Sequence, residues 1–289
     1  MEKICILTDS NSGITQKEAD ELGIKVVPMP FYINEKLFYE DIDLNQEQFY
    51  VRLKEKCRIT TSMPLVGNLT DLWEELLKEY DNIIYIPMSS GLSASCQTAI
   101  MLSDEYDGRV TVVDNQRISV TQKQATLEAR ELANQGLSVS EIYKRLMETK
   151  FDSRIYIAVD TLEYLKEGGR LTPAVAAIGT FLRIKPVLNI YGEKLDKFAM
   201  ARTMKQAKLI MIGAIEKDMK EFFHDEAAQN VRISIAHTDN YEEACLFREE
   251  LLERFPNREI WIDPLSLSVS CHIGPGALAV TCSKELVKL

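Results

Sequence analysis

The first half of the chain alternates short apolar runs with segments whose apolar residues recur at helical spacing. The runs at residues 3–7, 25–33, 82–88 and 109–113 predict strands. Helices are predicted before Gly23, at residues 45–55 and 65–79, after Ser93, and twice more before residue 151. Strands that alternate with helices at this spacing indicate a parallel sheet covered by helices.

The second half shows a different pattern. Its predicted elements are a strand, a short helix, an apolar segment, a hairpin that turns at Tyr191-Gly192-Glu193, a long helix, a strand, a helix and two short strands. Part of this arrangement is antiparallel. We therefore predict an α/β protein of two domains. Residues 1–150 form an N-terminal α/β domain with a parallel, helix-covered sheet, and residues 151–289 form a C-terminal α/β domain with a mixed sheet.

Polar residues mark the ends of the first predicted helix. Thr15 and Glu18 have the spacing of a capping box, in which each side chain accepts a hydrogen bond from the other residue's backbone N–H. Gly23 follows the last apolar position and is the expected stop. This helix is thus predicted between Thr15 and Gly23.

Composition excludes collagen-like, disordered and disulfide-scaffold proteins. Of the 289 residues, 46% are hydrophobic and 27% are charged, which is typical of a soluble globular protein. The net charge of −10 argues against binding to nucleic acid or anionic lipid. No apolar run approaches the roughly 18 residues of a membrane span, and the first apolar run is too short for a signal peptide. We therefore expect a cytoplasmic protein.

The cysteines give no sign of a metal centre. The chain has six of them, far apart in sequence, with neither a C-x-x-C motif nor a Cys/His cluster. A structural zinc site needs closely spaced ligands. We expect no metal site, and thiols that stay reduced.

A first polar segment, Arg58-Ile59-Thr60-Thr61-Ser62-Met63-Pro64, stands just before a predicted helix. Its hydroxyl groups are expected at the helix N-cap, where they accept hydrogen bonds from free backbone N–H groups. The same geometry also suits an anion, because a helix N-terminus carries partial positive charge. The local sequence leaves both interpretations open.

A second polar segment, Pro87-Met88-Ser89-Ser90-Gly91-Leu92-Ser93-Ala94-Ser95, joins a strand to a helix. Ligands of open α/β sheets bind beyond the carboxyl ends of strands, where this loop is expected. Gly91 and Ser93 also match the G-x-S-x-G nucleophile motif of hydrolases, with His272 downstream and Asp114 or Asp263 between them. Ser95 stands where the motif requires its final glycine. The partial match still makes a Ser93/His272 esterase or thioesterase acting on acyl substrates the alternative function.

A third segment, His272-Ile273-Gly274-Pro275-Gly276-Ala277, sets a histidine beside glycines that allow close approach of the backbone to a ligand. Gly168-Gly169-Arg170 follows a predicted helix and is by itself a stop signal. Asp9-Ser10, just past the first strand, fits either a cap or a site wall. The other two histidines, His224 and His237, lack such a context and are interpreted as structural.

Seven segments together resemble the DegV family, in the family's order and across nearly the whole chain. They are Asp9-Ser10, Thr60-Thr61-Ser62-Met63-Pro64, Ser89-Ser90-Gly91-Leu92-Ser93, Leu165-Lys166-Glu167-Gly168-Gly169-Arg170-Leu171, Ile184-Lys185-Pro186, Arg202-Thr203 and His272-Ile273-Gly274-Pro275-Gly276-Ala277. The resemblance implies two α/β domains that enclose a long-chain fatty acid.

The resemblance also implies a function and a set of site residues. The protein would be a carrier, not an enzyme, that presents the carboxylate of its fatty acid to a separate fatty acid kinase. The acyl phosphate formed by the kinase would then feed phospholipid synthesis. Thr61, Ser62 and Ser93 would bind the carboxylate, with Arg170 and His272 nearby, and Arg202 would face the kinase. No cofactor and no metal are implied.

The chain departs from the family pattern at several positions. They are Met63 in place of glutamine, Ala94 in place of glycine, Asn115 in place of serine, and Thr121 and Lys123 in a segment where glycines are expected. These changes leave the implied carboxylate site intact and bear on the wall of the pocket. The apolar segment 174–182 fits either a tunnel wall or an ordinary core helix.

Simple energetics agree with a buried acyl chain. Burial gains about 0.8 kcal/mol per methylene, so roughly fourteen methylenes supply on the order of 11 kcal/mol before the costs of binding. A buried carboxylate needs hydrogen-bond donors, which the hydroxyl groups provide. A sensor of some other carboxylate ligand is a third interpretation.

Residues 183–208 form a basic segment. Glu193 and Asp196 are its only acids, and it carries Arg183, Lys185, Lys194, Lys197, Arg202, Lys205 and Lys208. It is either a solvated face or, together with Arg170, a rim that docks an acidic or ATP-loaded partner.

Overall fold

The computed structural model describes residues 2–55, 57–169, 184–192 and 194–289. Two compact units make up the chain. The N-terminal unit consists of Met1–Asn45, Cys57–Phe151 and Leu286–Leu289, and the C-terminal unit of Gln46–Lys56 and Asp152–Glu285. The predicted division into residues 1–150 and 151–289 does not include the assignment of residues 46–56 to the C-terminal unit or of residues 286–289 to the N-terminal unit.

The helices and strands follow one another closely along the chain. Up to residue 151 they are β1 (Ile4–Asp9), α1 (Gln16–Leu22), β2 (Lys25–Val27), β3 (Pro30–Ile33), β4 (Lys36–Tyr39), α2 (Gln46–Lys54), β5 (Ile59–Thr61), α3 (Val66–Leu76), β6 (Asn82–Ile86), α4 (Ala94–Ser103), β7 (Val110–Val112), α5 (Val120–Asn134) and α6 (Val139–Glu148). The described residues that follow form β8 (Ser153–Ala158), α7 (Glu163–Glu167), β9 (Lys185–Tyr191), β10 (Lys194–Ala201), α8 (Met204–Glu221), β11 (Val231–His237), α9 (Tyr241–Leu252), β12 (Trp261–Pro264), α10 (Leu267–Ile273) and β13 (Leu278–Lys284).

A four-stranded parallel sheet forms the centre of the N-terminal unit, in the order β2-β1-β6-β7. Successive side chains of a strand point to opposite faces, so each strand contributes to two cores. Leu7 and Tyr85 pack with α3 and α4 on one face. Ile6 and Ile84 pack with α5 and α6 on the other. The predicted parallel, helix-covered sheet is confirmed.

A second, three-stranded antiparallel sheet of the N-terminal unit was not predicted. Its order is β4-β3-β5. The strands β4 and β5 are only four and three residues long and alternate little between buried and exposed positions. Their sequence therefore carries almost no periodic signal, and Thr60 and Thr61 were expected to precede a helix directly.

The C-terminal unit contains a six-stranded mixed sheet in the order β10-β9-β8-β13-β11-β12. Only the β11–β12 pair is parallel among these pairs of described strands. Helices α8 and α9 cover one face, through Met211, Ile215, Phe247 and Leu251. The mixed sheet and the hairpin of β9 and β10 are confirmed. Helix α10 lies where the sequence predicted only two short strands.

Local signals at helix ends agree with the structure. The side chain of Thr15 accepts a hydrogen bond from Glu18 N at 3.1 Å, and Glu18 Oε2 accepts one from Thr15 N. Gly23 ends α1 in the left-handed region, with φ of 66°. In the part of the chain that is described, no helix is both long and apolar enough to span a bilayer.

Candidate functional site

Asp9 joins the loops that follow β1 and β6, at the edge of the parallel sheet where ligands of such sheets bind. Its buried carboxylate accepts hydrogen bonds from Asn11 N at 3.0 Å, Met88 N at 2.8 Å and Gln122 Nε2 at 3.0 Å. Burial raises the pKa of the Asp9 carboxyl above its ordinary value. Asp9 therefore caps the turn at residues 10–12 and, through Met88 N, holds the start of the loop that leads to Ser93.

Asp114 holds the serine-rich loop from the adjacent strand. Ser90 Oγ donates to Asp114 Oδ2 at 2.7 Å, and Ser90 N donates to Asp114 Oδ1 at 3.2 Å. The ammonium of Lys150 lies 3.7 Å from the same carboxylate. Asp114 thus fixes the path of the chain between β6 and α4.

Ser93 is the N-cap of α4, with an extended backbone. Its Oγ accepts a hydrogen bond from Ser95 N at 3.2 Å and lies 2.9 Å from Ser95 Oγ. No acidic residue stands in the first turn of α4. The helix therefore presents a positive end of its dipole with a hydroxyl beside it. This cap follows several loop residues beyond β6, whereas a nucleophile elbow requires a sharp strand-to-helix turn.

Thr61 and Ser62 do not cap α3, so that expectation was wrong. Thr61 is the last residue of β5 and pairs with Phe31. Ser62 is exposed, and its Oγ donates to Met63 O at 3.1 Å. Helix α3 begins after Pro64, and its N-cap, Leu65, makes no side-chain cap bond.

The segment after β5 nevertheless reaches α4. Thr98 Oγ1 lies 3.6 Å from Met63 Sδ. Leu69 and Trp73 of α3 share a core with Cys96 and Ala99 of α4. The N-terminal unit therefore carries Thr61, Ser62 and Ser93 on neighbouring elements.

In the C-terminal unit, His272 packs directly over Gly168. A Cβ at Gly168 would lie only 2.1 Å from His272 Nδ1, so no other residue fits there without moving the imidazole. A Cβ at Gly274 would lie 2.2 Å from Cδ2 of Tyr164. These close approaches join α7 to α10 and bring together two motifs that stand about a hundred residues apart in sequence.

An ion pair borders this pair of motifs. Lys185 at the start of β9 pairs with Asp160. A Cβ at Gly276 would lie 3.0 Å from Asp160 Cγ. The lysine of the Ile184-Lys185-Pro186 motif is thus tied, through Asp160, to the loop that follows His272.

Two predicted features fall outside the described residues. They are Arg170 and the apolar segment 174–182. Arg202 is described. It follows β10, is exposed, and its backbone N donates to Gln206 Oε1 at 2.9 Å.

The basic segment is only partly a solvated stripe. Lys197 and Lys205 are exposed beside Arg202 in sequence. Lys208 is buried and pairs with Glu243 at 2.5 Å and Glu250 at 2.6 Å, so its expected place on the rim was wrong. Lys208 lies three residues after Lys205 in α8, and its ammonium contacts two glutamates of α9.

Three of the five departures from the family pattern, Asn115, Thr121 and Lys123, lie in a buried polar region that the sequence pattern did not indicate. Lys123 is almost fully buried and its ammonium lies 2.8 Å from Glu18. Thr121 Oγ1 donates to Ile118 O at 2.7 Å. Asn115 is fully buried, and neither of its amide atoms has a hydrogen-bond partner among the described residues. The clustering of polar residues at 114–124 was the available signal.

Two α/β units, one with a parallel and one with a mixed sheet, together with polar loops at strand ends and helix N-termini, define a two-domain α/β protein. The chain belongs to the DegV family, which is described as a family of uncharacterised proteins and matches residues 3–285. Protein DegV of Bacillus subtilis is 32% identical over 280 residues, covering 96% of this chain and 98% of that protein.

Solved structures agree with this assignment. The structure of Bacillus subtilis DegV, described as a fatty acid binding protein, is 30% identical, covers 99% of this chain and 100% of its own, and superposes with a TM-score of 0.87. A DegV family protein from Thermus thermophilus, also described by its fatty acid binding, is 28% identical, with coverage of 98% and 99% and a TM-score of 0.87. The predicted family and fold class are confirmed.

Proposed function

We propose that this chain binds a long-chain fatty acid and presents its carboxylate to a separate fatty acid kinase, whose acyl phosphate product enters phospholipid synthesis. The observation that carries the binding role is the likeness to two solved fatty-acid-binding proteins over nearly the whole chain, at 28% and 30% identity. The kinase is inferred from the family resemblance of the motifs.

The carboxylate is proposed to bind to Thr61, Ser62 and Ser93. An ionised carboxylate is stable in a buried site only when hydrogen-bond donors surround it. Ser93 stands at the N-terminus of α4, where the first-turn N–H groups and the absence of acids favour an anion. Each hydrogen bond to a charged group contributes about 1.5–3 kcal/mol.

His272 and Arg170 are proposed as the second group at the carboxylate. The close packing over Gly168 fixes the position of the His272 ring. Gly168 also stands two residues before Arg170 in the sequence. Neither residue is required as a nucleophile or base, because the chemistry of acyl phosphate formation belongs to the kinase. The proposal includes no cofactor and no metal.

The partner is proposed to dock beside Arg202. Arg202 is exposed, with the exposed Lys197 and Lys205 on either side of it in sequence. Cations on the rim of an interface mainly raise the association rate and orient the complex. An acidic or ATP-loaded surface is the chemistry that complements them.

Native mass spectrometry of the purified chain tests the proposal. We expect a co-purified mass of a long-chain fatty acid, and saturable binding of oleate by the delipidated protein in calorimetry. Ser93→Ala should weaken that binding by about 1–3 kcal/mol. Ser103→Ala is the matched control, because Ser103 lies at the other end of α4 and its Oγ donates to Ile100 O within the helix. A protein that binds no fatty acid contradicts the proposal.

A further inference from the structure

The C-terminal unit contains an open cleft of about 590 Å³ at the carboxyl ends of β11 and β12. Helix α2 forms one wall, and the loop after β11 with the first turn of α9 forms the other. Its lining includes Glu47, Tyr50, His237, Asp239, Tyr241 and Glu242. None of these residues belongs to the proposed carboxylate or partner set. We refer to it as the α2–α9 cleft.

His237 points to a ligand in this cleft. Its side chain is more than nine-tenths buried, with 7% exposed. Nδ1 accepts a hydrogen bond from Asn240 N at 3.3 Å, whereas Nε2 has no hydrogen-bond partner among the described residues. Burial also lowers the pKa of His237, so the ring is neutral near pH 7. Since Nδ1 is the acceptor, the proton resides on Nε2, which presents a donor to the cleft.

The carboxylates of the cleft select the charge of that ligand. Asp239 pairs with Lys54 at 2.7 Å. Glu47 and Glu242 have no ion-pair partner within the described part of the chain. An anion at the uncapped N-terminus of α9 would meet these carboxylates, so the cleft favours a cation.

The other lining groups favour an organic cation over a metal ion. Tyr241 is 60% exposed, and its ring lies 5.7 Å from that of His237. Such a ring offers a face for cation–π contact and for the C–H face of a small ring. Among the described residues, no group of three or more His, Cys, Asp or Glu side chains is arranged to hold a metal ion.

We propose that the α2–α9 cleft binds a small hydroxylated amine of the amino sugar class, whose ammonium contacts Glu47 and Glu242 and whose hydroxyl oxygen accepts a hydrogen bond from His237 Nε2. The ring of this ligand packs against Tyr241. This site is independent of the proposed fatty acid.

Four probes distinguish the contribution of the ammonium group from that of the hydroxyl groups. Glucosamine carries both the ammonium and the hydroxyls, glucose lacks the charge, N-acetylglucosamine lacks the charge and keeps the nitrogen, and cyclohexylammonium lacks the hydroxyls. In NMR titrations of the full chain we expect saturable binding of glucosamine, at least threefold tighter than any of the other three. Equal affinity for glucose and glucosamine, or no saturable binding, overturns the proposal.

Matched variants locate the site. Glu242→Gln and Tyr241→Ala should each weaken glucosamine binding at least threefold, because both side chains are exposed and serve the ligand. Glu253→Gln removes the same charge just beyond the other end of α9 and should leave the affinity unchanged. An equal loss in Glu253→Gln refutes the placement. Oleate affinity, measured on the same variants, should not change, which separates failure here from failure of the proposed function.

Discussion

Gly168→Ala tests whether the close approach of two motifs positions His272. Gly168 is the C-cap of α7 and has a helical backbone with φ of −73°, so alanine is not strained there. Its new Cβ would lie 2.1 Å from His272 Nδ1 and 2.9 Å from Cε1. Ordinary contacts begin at 3.4 Å, so the imidazole must shift by more than 1 Å.

The expected magnitudes follow from that displacement. Overpacking costs about 1–3 kcal/mol, and the lower end applies because His272 is only half-buried. If His272 binds the carboxylate, loss of one charged hydrogen bond of about 1.5–3 kcal/mol weakens oleate binding by roughly 10- to 150-fold. The fall in affinity should therefore exceed the fall in the free energy of unfolding.

The assay combines urea unfolding, calorimetry with oleate, and the NMR signal of the His272 ring, identified by its loss in His272→Gln. Gly213→Ala is the control, because Gly213 lies within α8 and a Cβ there meets nothing within 4 Å. It should gain about 0.5–1 kcal/mol in stability and keep its oleate affinity. An unshifted His272 signal in Gly168→Ala refutes the argument from close approach. A shifted signal with unchanged affinity removes His272 from the carboxylate site.

Four further outcomes are expected. Ser93 should stay unlabelled by a fluorophosphonate probe, since it caps α4; stoichiometric labelling would favour the esterase. Arg202→Ala should lower kinase-dependent acyl phosphate formation at unchanged oleate affinity, whereas Lys220→Ala, at the other end of α8, should not; equal turnover removes the partner role. Lys208→Met should cost about 1–3 kcal/mol in urea unfolding by leaving two glutamates unpaired, and an unchanged midpoint contradicts this. Because the pKa of His237 is below its ordinary 6.5 in the folded chain, the unfolded chain binds more protons below pH 6.5. Stability should therefore fall between pH 7.5 and 5.5 more in the wild-type chain than in His237→Gln.

Periodicity predicts the main sheets because burial imposes it. Residues such as Ile6 and Leu7 face two different cores, so the first four residues of β1 are all apolar and the strand is easily identified. The sheet of β3, β4 and β5 was missed because its stability comes from pairing between distant short strands, which no local window contains. Helix α10 was missed for a related reason, since its seven residues are mostly buried and show no polar face.

Motifs indicate the element on which a polar residue lies better than they indicate the direction of its side chain. Ser93 lies at a helix N-terminus, as a polar loop between a strand and a helix indicates. The sequence does not show that a histidine and a glycine about a hundred residues apart will touch, although both were singled out. The prediction failed for Lys208, because membership of a basic segment does not reveal which face of α8 a lysine occupies.

The proposed hydroxyl donors are suited to a carrier, because a carrier must bind its ligand while leaving the carboxylate able to react. Thr61, Ser62 and Ser93 are neutral donors, so they stabilise a carboxylate without cancelling its charge. An oxygen that keeps its negative charge remains nucleophilic toward a phosphoryl group. In the proposed function, retention of the ligand depends mainly on the acyl chain, whose burial contributes about 0.8 kcal/mol per methylene. This division leaves the carboxylate end available for reaction while the apolar end keeps the molecule bound.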